Sequence, residues 1–258
     1  MADWNTELYL KFEEGRNKPI RDLISHIYVK SAGRVIDIGC GPGNSTILLK
    51  KVYKNANMVG IDNSPNMIQK AKQEYPEITW ILKDIADDMS DLGKFDIVFS
   101  NSVLHWLPDH TKLLPRLFDL LNEDGVIAIQ IPYFFGTPIY RPLYNLVESK
   151  KWDSYITVKQ PTTYNDVGFY YDLLSAHFSS FDIWTTKHTH VLSSKDEIIN
   201  WYKPTGFKAF LDQLKTNELK EAFLSDIHPI INDIYNEQKD GKFLLRFERL
   251  FFVAQLTK

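Results

Sequence analysis

Val35-Ile36-Asp37-Ile38-Gly39-Cys40-Gly41-Pro42-Gly43-Asn44-Ser45 runs an apolar strand into three closely spaced glycines. Gly39, Gly41 and Gly43 permit a tight turn and let a ligand come up against the backbone. A dinucleotide-binding turn carries glycine at its first, third and sixth positions. Counted from Gly39, the sixth residue is Asn44, so a nicotinamide dinucleotide lacks its third glycine. Asp37 argues against it further. A carboxylate at the end of the first strand repels a pyrophosphate and suits a ligand that carries an amino group or a sulfonium.

Outward from this turn the chain alternates. Arg34 to Ile38, Asn57 to Ile61, Ile78 to Leu82, Phe95 to Phe99 and Val126 to Ile131 are short apolar runs separated by stretches with helical spacing. Nearly continuous apolar strands imply burial on both faces, as in a parallel sheet covered by crossover helices. In such a sheet the strand carboxyl ends face one crevice. Asp62 ends the second strand and can accept from both ribose hydroxyls; Asp84 follows the third and can receive an adenine amino group. Asn101 follows the fourth strand and can complete the pocket, and Met67 and Ile85 can line the adenine slot. Asp37, Gly39, Gly41, Asp62 and Asp84 together predict a nucleoside cofactor with a cationic head.

Ser64-Pro65 supplies an N-cap and a preset first turn, with Met67, Ile68, Ala71 and Tyr75 on one helical face. Asp109 is expected to cap a second helix whose apolar stripe is Leu113, Leu114, Leu117, Leu120 and Leu121. From Pro132 the pattern changes. Residues 133–164 are rich in Pro, Tyr and Trp, and Ser194 with Glu197 forms a capping box. Phe181 to Thr186 and Leu250 to Leu256 have strand composition and are expected to finish the same sheet. Tyr133, Tyr170, Tyr171 and Trp201 are candidates for an aromatic lid.

With 44% hydrophobic and 24% charged residues among 258, the chain has an ordinary globular balance, which excludes a mostly disordered protein. Lys and Arg total 30 against 33 for Asp and Glu, so no global attraction to nucleic acid or anionic membrane is expected. Cys40 is the single cysteine, which excludes an internal disulfide and a multi-thiolate zinc site; no metal is expected. The opening residues carry acids and no apolar signal core, and no run approaches the ~20 apolar residues of a membrane span. A cytoplasmic protein is expected. Without a sustained heptad pattern, a monomer is expected too.

Asp37-Ile38-Gly39-Cys40-Gly41-Pro42-Gly43 resembles the first motif of class I S-adenosylmethionine-dependent methyltransferases, with Asp62 at the family's ribose position and Asp84 at its adenine position. Within that family the chain is similar to the trans-aconitate methyltransferases. The likeness lies in Met1-Ala2-Asp3-Trp4-Asn5, Gly41 to Thr46, Trp106-Leu107-Pro108-Asp109-His110, Tyr170-Tyr171-Asp172, Asp182-Ile183-Trp184 and Arg249-Leu250-Phe251. It departs from their pattern at His105, Tyr133-Phe134, Lys208-Ala209 and Glu248. The implied fold is α/β: a Rossmann-like, mostly parallel seven-stranded sheet with helices on both faces and a helical cap. One domain over 1–258 would comprise an N-terminal helical lid at 1–32 and a cofactor-binding core at 33–132. Helical cap segments at 133–180 and 194–242 and terminal strands at 181–191 and 246–256 would complete it.

The resemblance further implies S-adenosylmethionine as cofactor and S-adenosylhomocysteine as product. Cofactor binding would fall to Arg16, Asp37, Gly39, Gly41, Asn44, Asp62, Asn63, Met67, Asp84, Ile85 and Asn101. The acceptor would be a small carboxylic acid, trans-aconitate or a related polycarboxylate, converted to its monomethyl ester. A carboxylate with a pKa of ~4 is ionised near neutral pH and needs no general base, so the chemistry asks for placement and no catalytic residue. His105, Trp106, Tyr133, Tyr170 and Arg246 are the candidate acceptor contacts, with Arg16, Arg21 and Arg249 as further cations. An amine or phenol acceptor, or a non-catalytic module that only binds the cofactor, remain as alternatives.

Overall fold

The apolar runs fold as parallel strands β1 (Arg34–Ile38), β2 (Asn57–Asp62), β3 (Thr79–Leu82), β4 (Phe95–Asn101) and β5 (Leu121–Pro132). The computed structural model describes residues 12–159 and 162–256. The block Met1 to Asn5 and the rest of the expected lid before Phe12 lie outside the described residues. β6 (Ser180–Leu192) and β7 (Phe243–Gln255) complete a sheet of order β3-β2-β1-β4-β5-β7-β6, in which β7 runs antiparallel to β5. Helices α1 (Glu13–Ser25), α2 (Asn44–Val52), α3 (Pro65–Glu74), α4 (His110–Phe118), α5 (Tyr140–Val147) and α6 (Val167–Ser175) precede β6; α7 (Lys195–Tyr202), α8 (Lys208–Leu211) and α9 (Asn217–Ile234) precede β7. None of the described helices is long and apolar enough to cross a membrane.

The described residues form two compact units, 16–132 with 162–186 and 249–256, and 12–15 with 133–159 and 187–248. In the first, Ile20 and Leu23 of α1, Leu49 of α2 and Ile68 and Ala71 of α3 pack in one core with Val35, Ile97, Phe99, Val126 and Phe251 of the sheet. Ile36, Ile38, Val98, Ile127 and Ile129 are fully buried as well, as the continuous apolar strands require. The second unit is built on aromatic contacts. Tyr202 stacks on Phe207, Phe134 meets Phe247 edge-on, and Trp152 meets Phe223 edge-on while its indole donates to Asp226.

The capping signals are realised unevenly. Ser64 Oγ accepts from the Met67 N–H, and Ser194 Oγ accepts from the Glu197 N–H. The Glu197 carboxylate, however, accepts from the N–H of Ser193, one residue before its expected reciprocal partner. Asp109 does not cap α4 with its side chain. Its backbone is left-handed (φ 52°), and its carboxylate accepts from the Thr111 hydroxyl and pairs with Lys112 at 2.7 Å. The stripe of that helix is also shorter than expected. Leu121 leaves it to pair with Phe95 as the start of β5, before an irregularity that resumes at Ile97 and Val126. β6 runs over 180–192 where 181–191 was expected. β7 begins at Phe243 where 246 was expected, because Phe243, Leu245 and Phe247 extend its buried alternation toward the amino end, and it ends at Gln255 rather than 256.

Register places the working ends of the strands together. Ile38 pairs with Ile61 and with Ser100, and Asn101 pairs with Gln130. After β1 the N–H groups of Gly39 and Cys40 both donate to the Ile61 carbonyl, at 2.8 and 3.0 Å, which turns the chain sharply out of the sheet. Gly39 has φ 70°, and a Cβ there would lie 2.2 Å from Val103 Cγ2. Gly41 has φ 55°, but a Cβ there would meet nothing within 4 Å. We expect Gly39→Ala to destabilise by about 3 kcal/mol or more, from left-handed strain plus overpacking, and Gly41→Ala by only about 1 to 2 kcal/mol. Urea unfolding of the two variants measures this; equal losses would contradict the geometry.

Asp37 ties this turn to α2. It is 1% exposed, and its Oδ2 accepts from Ser45 Oγ at 2.5 Å and Thr46 Oγ1 at 2.6 Å, while Oδ1 has no hydrogen-bond partner among the described residues. Burial pushes its pKa up to about 6; the two hydroxyls pull it back and the Asp62 charge adds to the rise. The folded state therefore holds this proton more tightly than the unfolded one. The associated stabilisation is fully present below the unfolded value of 3.8 and is lost as pH rises through about 6. Relative to Asp37→Asn, which cannot titrate, the wild-type unfolding free energy should fall by about 3 kcal/mol over that interval and level off above it. Denaturant titrations at stepped pH read the difference directly, and a pH-independent offset would reject the account.

Candidate active site

At the β2 end, Asp62 Oδ2 accepts from the Gly41 N–H and Oδ1 from the Ser64 N–H, both at 2.9 Å. The Asp62 side chain is half-buried. At the β3 end, Asp84 Oδ1 accepts from the Ala86 N–H and Oδ2 from Asn63 Nδ2, again at 2.9 Å. Asn63, exposed, thus joins the turns after β2 and β3. Met67 and Ile85 are buried, Asn44 opens α2 half-buried, and Asn101 closes β4 with its Oδ1 unpartnered among the described residues. Arg16 is a buried residue of α1. The strand-end residues therefore gather along one edge of the sheet, around a glycine turn that is open at Gly41.

Asp37 differs from its sequence expectation in one respect. One carboxylate oxygen is committed to Ser45 and Thr46, so its first task is to hold the turn against α2, and Oδ1 remains uncommitted among the described residues. Cys40 is buried beside it. Burial, with the charges of Asp37 and Asp62, pushes its thiol well above the ordinary range, which removes it as a nucleophile.

A second polar group lies beyond β4. Ser102 adopts φ 61°, donates its N–H to the Gln130 carbonyl at 3.0 Å and its hydroxyl to Gln130 Oε1 at 2.7 Å. Arg249 Nη1 donates to Ser102 Oγ at 3.4 Å. Gln130 is fully buried with its Nε2 unpartnered among the described residues, and Arg249 is 5% exposed. The chain then forms a 3₁₀ turn, Leu104–Trp106, which carries the buried His105 against the half-buried Trp106, ring centroids 4.6 Å apart. Burial drives the His105 pKa down to about 3, and the neighbouring Arg249 and His110 charges push the same way. His105 is thus neutral at physiological pH, while Arg249 is a permanent buried cation.

Of the other expected acceptor contacts, Tyr170 is only 1% exposed; its hydroxyl lies 2.7 Å from His110 Nδ1 and its ring stacks on Phe252. It is a core residue with an engaged hydroxyl. Tyr171 beside it is half-exposed. Tyr133, Arg246 and Trp201 belong to the other compact unit: Tyr133 donates its N–H to the Glu248 carbonyl, Arg246 is exposed on β7, and Trp201 is buried against His190. Ser102, Gln130 and His110 were not singled out from sequence. For Arg249 a signal existed: Phe243, Leu245, Phe247, Arg249 and Phe251 form one buried strand face, in which a single arginine replaces an apolar residue.

Comparison with known proteins agrees with this geometry. Residues 29–196 match the methyltransferase domain family. The chain is 38% identical, over 98% of its length and 99% of the relative's, to a trans-aconitate 2-methyltransferase of Rhodopseudomonas palustris strain HaA2. It is 36% identical over the whole of both chains to the Escherichia coli O157:H7 protein of that name. A putative methyltransferase from Bacillus halodurans shares the fold (TM-score 0.61, 12% identity, 93% of this chain and 99% of that one). So does phosphoethanolamine N-methyltransferase 2 of Haemonchus contortus, solved with S-adenosyl-L-methionine (TM-score 0.55, 16% identity, 93% and 52%). These structural likenesses concern the fold alone. The full-length sequence identities go further, and the chain belongs to the trans-aconitate 2-methyltransferase family of class I methyltransferases.

Proposed function

We propose that the protein esterifies one carboxylate of trans-aconitate or a related small polycarboxylate, using S-adenosylmethionine as methyl donor. Residues 33–132 serve as its cofactor-binding core. The observation that carries this reading is the buried Arg249, hydrogen-bonded to Ser102 beside a neutral His105, at the same strand ends as Asp62 and Asp84.

The residues suit the donor. Gly41 opens on empty space with its N–H oriented by Asp62, so a ligand can approach the backbone there. The Asp62 carboxylate, an acceptor-only group at the β2 end, matches ribose hydroxyls, and that of Asp84 matches an adenine amino group. The uncommitted Oδ1 of Asp37 favours a cationic head nearby. When bound, S-adenosylmethionine supplies a methyl carbon on a positively charged sulfur and leaves as S-adenosylhomocysteine.

On the acceptor side Arg249 supplies the charge. A guanidinium excluded from water attracts a carboxylate strongly and orients it through paired N–H donors. His105 supports a carboxylate acceptor over an amine or phenol. An imidazole whose conjugate acid has a pKa of about 3 is too weak a base to remove a proton from either, whereas a carboxylate arrives already ionised.

Incubation with labelled cofactor and a panel of acids, amines and phenols should give transfer to polycarboxylates; transfer confined to amines or phenols would sink the proposal. Asp62→Ala should weaken cofactor binding about 10- to 100-fold, through loss of charge-assisted hydrogen bonds. Arg249→Gln should raise the acceptor KM by a similar factor and leave the cofactor Kd within about twofold. Calorimetry and steady-state kinetics separate the two effects.

A further inference from the structure

We infer that Tyr170 and His110 form a buried strut that fixes the turn bearing His105 and Trp106, which makes Tyr170 a positioning residue for the acceptor rather than a contact to it. The inference rests on the reading above, in which that turn faces the acceptor.

The turn needs outside support. It is a three-residue 3₁₀ segment, closed by Trp106 N–H to Val103 O and Leu107 N–H to Leu104 O, each at 2.9 Å. Such short turns have poor internal hydrogen-bond geometry. Two bonds from elsewhere in the chain hold it. His110 Nε2 lies 2.8 Å from the Leu104 carbonyl, and the Thr163 N–H donates to the His105 carbonyl at 2.7 Å.

The proton positions follow from the partners. A carbonyl oxygen only accepts, so His110 Nε2 carries the proton; Nδ1 of the neutral ring then accepts, and the Tyr170 hydroxyl donates to it at 2.7 Å. Burial favours the neutral imidazole, in keeping with this arrangement. Tyr170 is itself held firmly. It sits on α6, which Asp166 caps through the Phe169 N–H, and its ring meets Phe169 edge-on and stacks on Phe252. The chain of contacts therefore runs from the sheet through Tyr170 and His110 to the backbone of Leu104, next to His105. Nothing in it requires Tyr170 to touch a ligand, and its burial argues that it does not.

Isosteric variants of His110 test the path. Glutamine places an amide nitrogen near the Nε2 position and can still donate to Leu104; asparagine reaches only the Nδ1 position and cannot. His110→Gln, which keeps the Leu104 bond and loses the Tyr170 one, should lower kcat/KM for the acceptor only about 3- to 10-fold. His110→Asn should lower it about 10- to 100-fold, the scale of a misplacement near 1 Å. Tyr170→Phe should lower it less, about 3- to 10-fold, and S-adenosylhomocysteine Kd, measured by calorimetry, should stay within about twofold in all three. Equal acceptor kinetics in the asparagine and glutamine variants overturns the inference, as does a loss of cofactor affinity parallel to the kinetic loss. Should His110→Asn not fold, Tyr170→Phe decides: a drop in acceptor kcat/KM at unchanged cofactor Kd supports the strut, and wild-type kinetics rejects it. His105→Ala and Trp106→Ala separate the two levels. If neither alters acceptor kinetics, the turn does not face the acceptor and both readings fall. If they do and His110→Asn does not, the strut alone falls.

Discussion

The missing side chain of Gly39 is where the structure closes. Any Cβ there would collide with Val103, which immediately precedes the His105–Trp106 turn, so the glycine turn after β1 and the turn after β4 pack directly on each other. A methyl donor and its acceptor have to meet within bonding reach, and the two loops that would hold them are in contact because one contributes no side chain at that point. Parallel pairing supplies the rest of the constraint. With β2 on one side of β1 and β4 on the other, the ends bearing Asp62 and Asn101 flank the glycine turn.

The two sides are opposite in charge and are handled differently. In the proposed arrangement Asp37 and Asp62 stand on the donor side, and the unfavourable burial of Asp37 is only partly offset by the Ser45 and Thr46 hydroxyls, as its raised pKa records. A buried carboxylate kept with an unpartnered oxygen is a cost to the fold of the kind functional sites carry. On the proposed acceptor side Arg249 is tied through Ser102 to Gln130, and its charge helps keep His105 unprotonated. A single cation there is sufficient to attract an anion. A second, on His105, would require desolvating two like charges together, and burial prevents it.

Much of this was legible in the residues, for identifiable reasons. Continuous apolar runs declare strands buried on both faces, and acids that follow such runs must emerge at one edge once pairing is parallel, so Asp37, Asp62 and Asp84 could be placed without coordinates. Arg246 and Arg249 went unranked because β7 was expected to start at 246, which left the apolar alternation of Phe243, Leu245 and Phe247 unread; that alternation sends Arg246 to solvent and Arg249 inward. The role of Tyr170 was open for a different reason: a tyrosine lining a pocket and one bonding inside the core have the same local pattern. Its partner, His110, is 60 residues away and is brought to it only by tertiary packing. Asp109 shows the limit of capping rules: its backbone is left-handed where a capping residue is extended, and its carboxylate is taken up by the Thr111 hydroxyl and the Lys112 ammonium.

The protonation states around the second turn bear on what kind of acceptor it can serve. His105 and His110 are shifted toward the neutral form, and the Tyr170 hydroxyl is shifted upward, away from ionisation, chiefly because each is buried. None of the three is placed to exchange a proton near neutral pH. An amine must lose a proton during methylation and a phenol must lose one to become a strong nucleophile, whereas a carboxylate brings its lone pair already free. What a carboxylate needs instead is compensation for leaving water, and a buried, permanently charged arginine supplies it. The burial that suppresses acid–base chemistry at these residues would also strengthen the attraction between Arg249 and an incoming anion, so in the proposed site one physical condition selects both the mechanism and the class of acceptor.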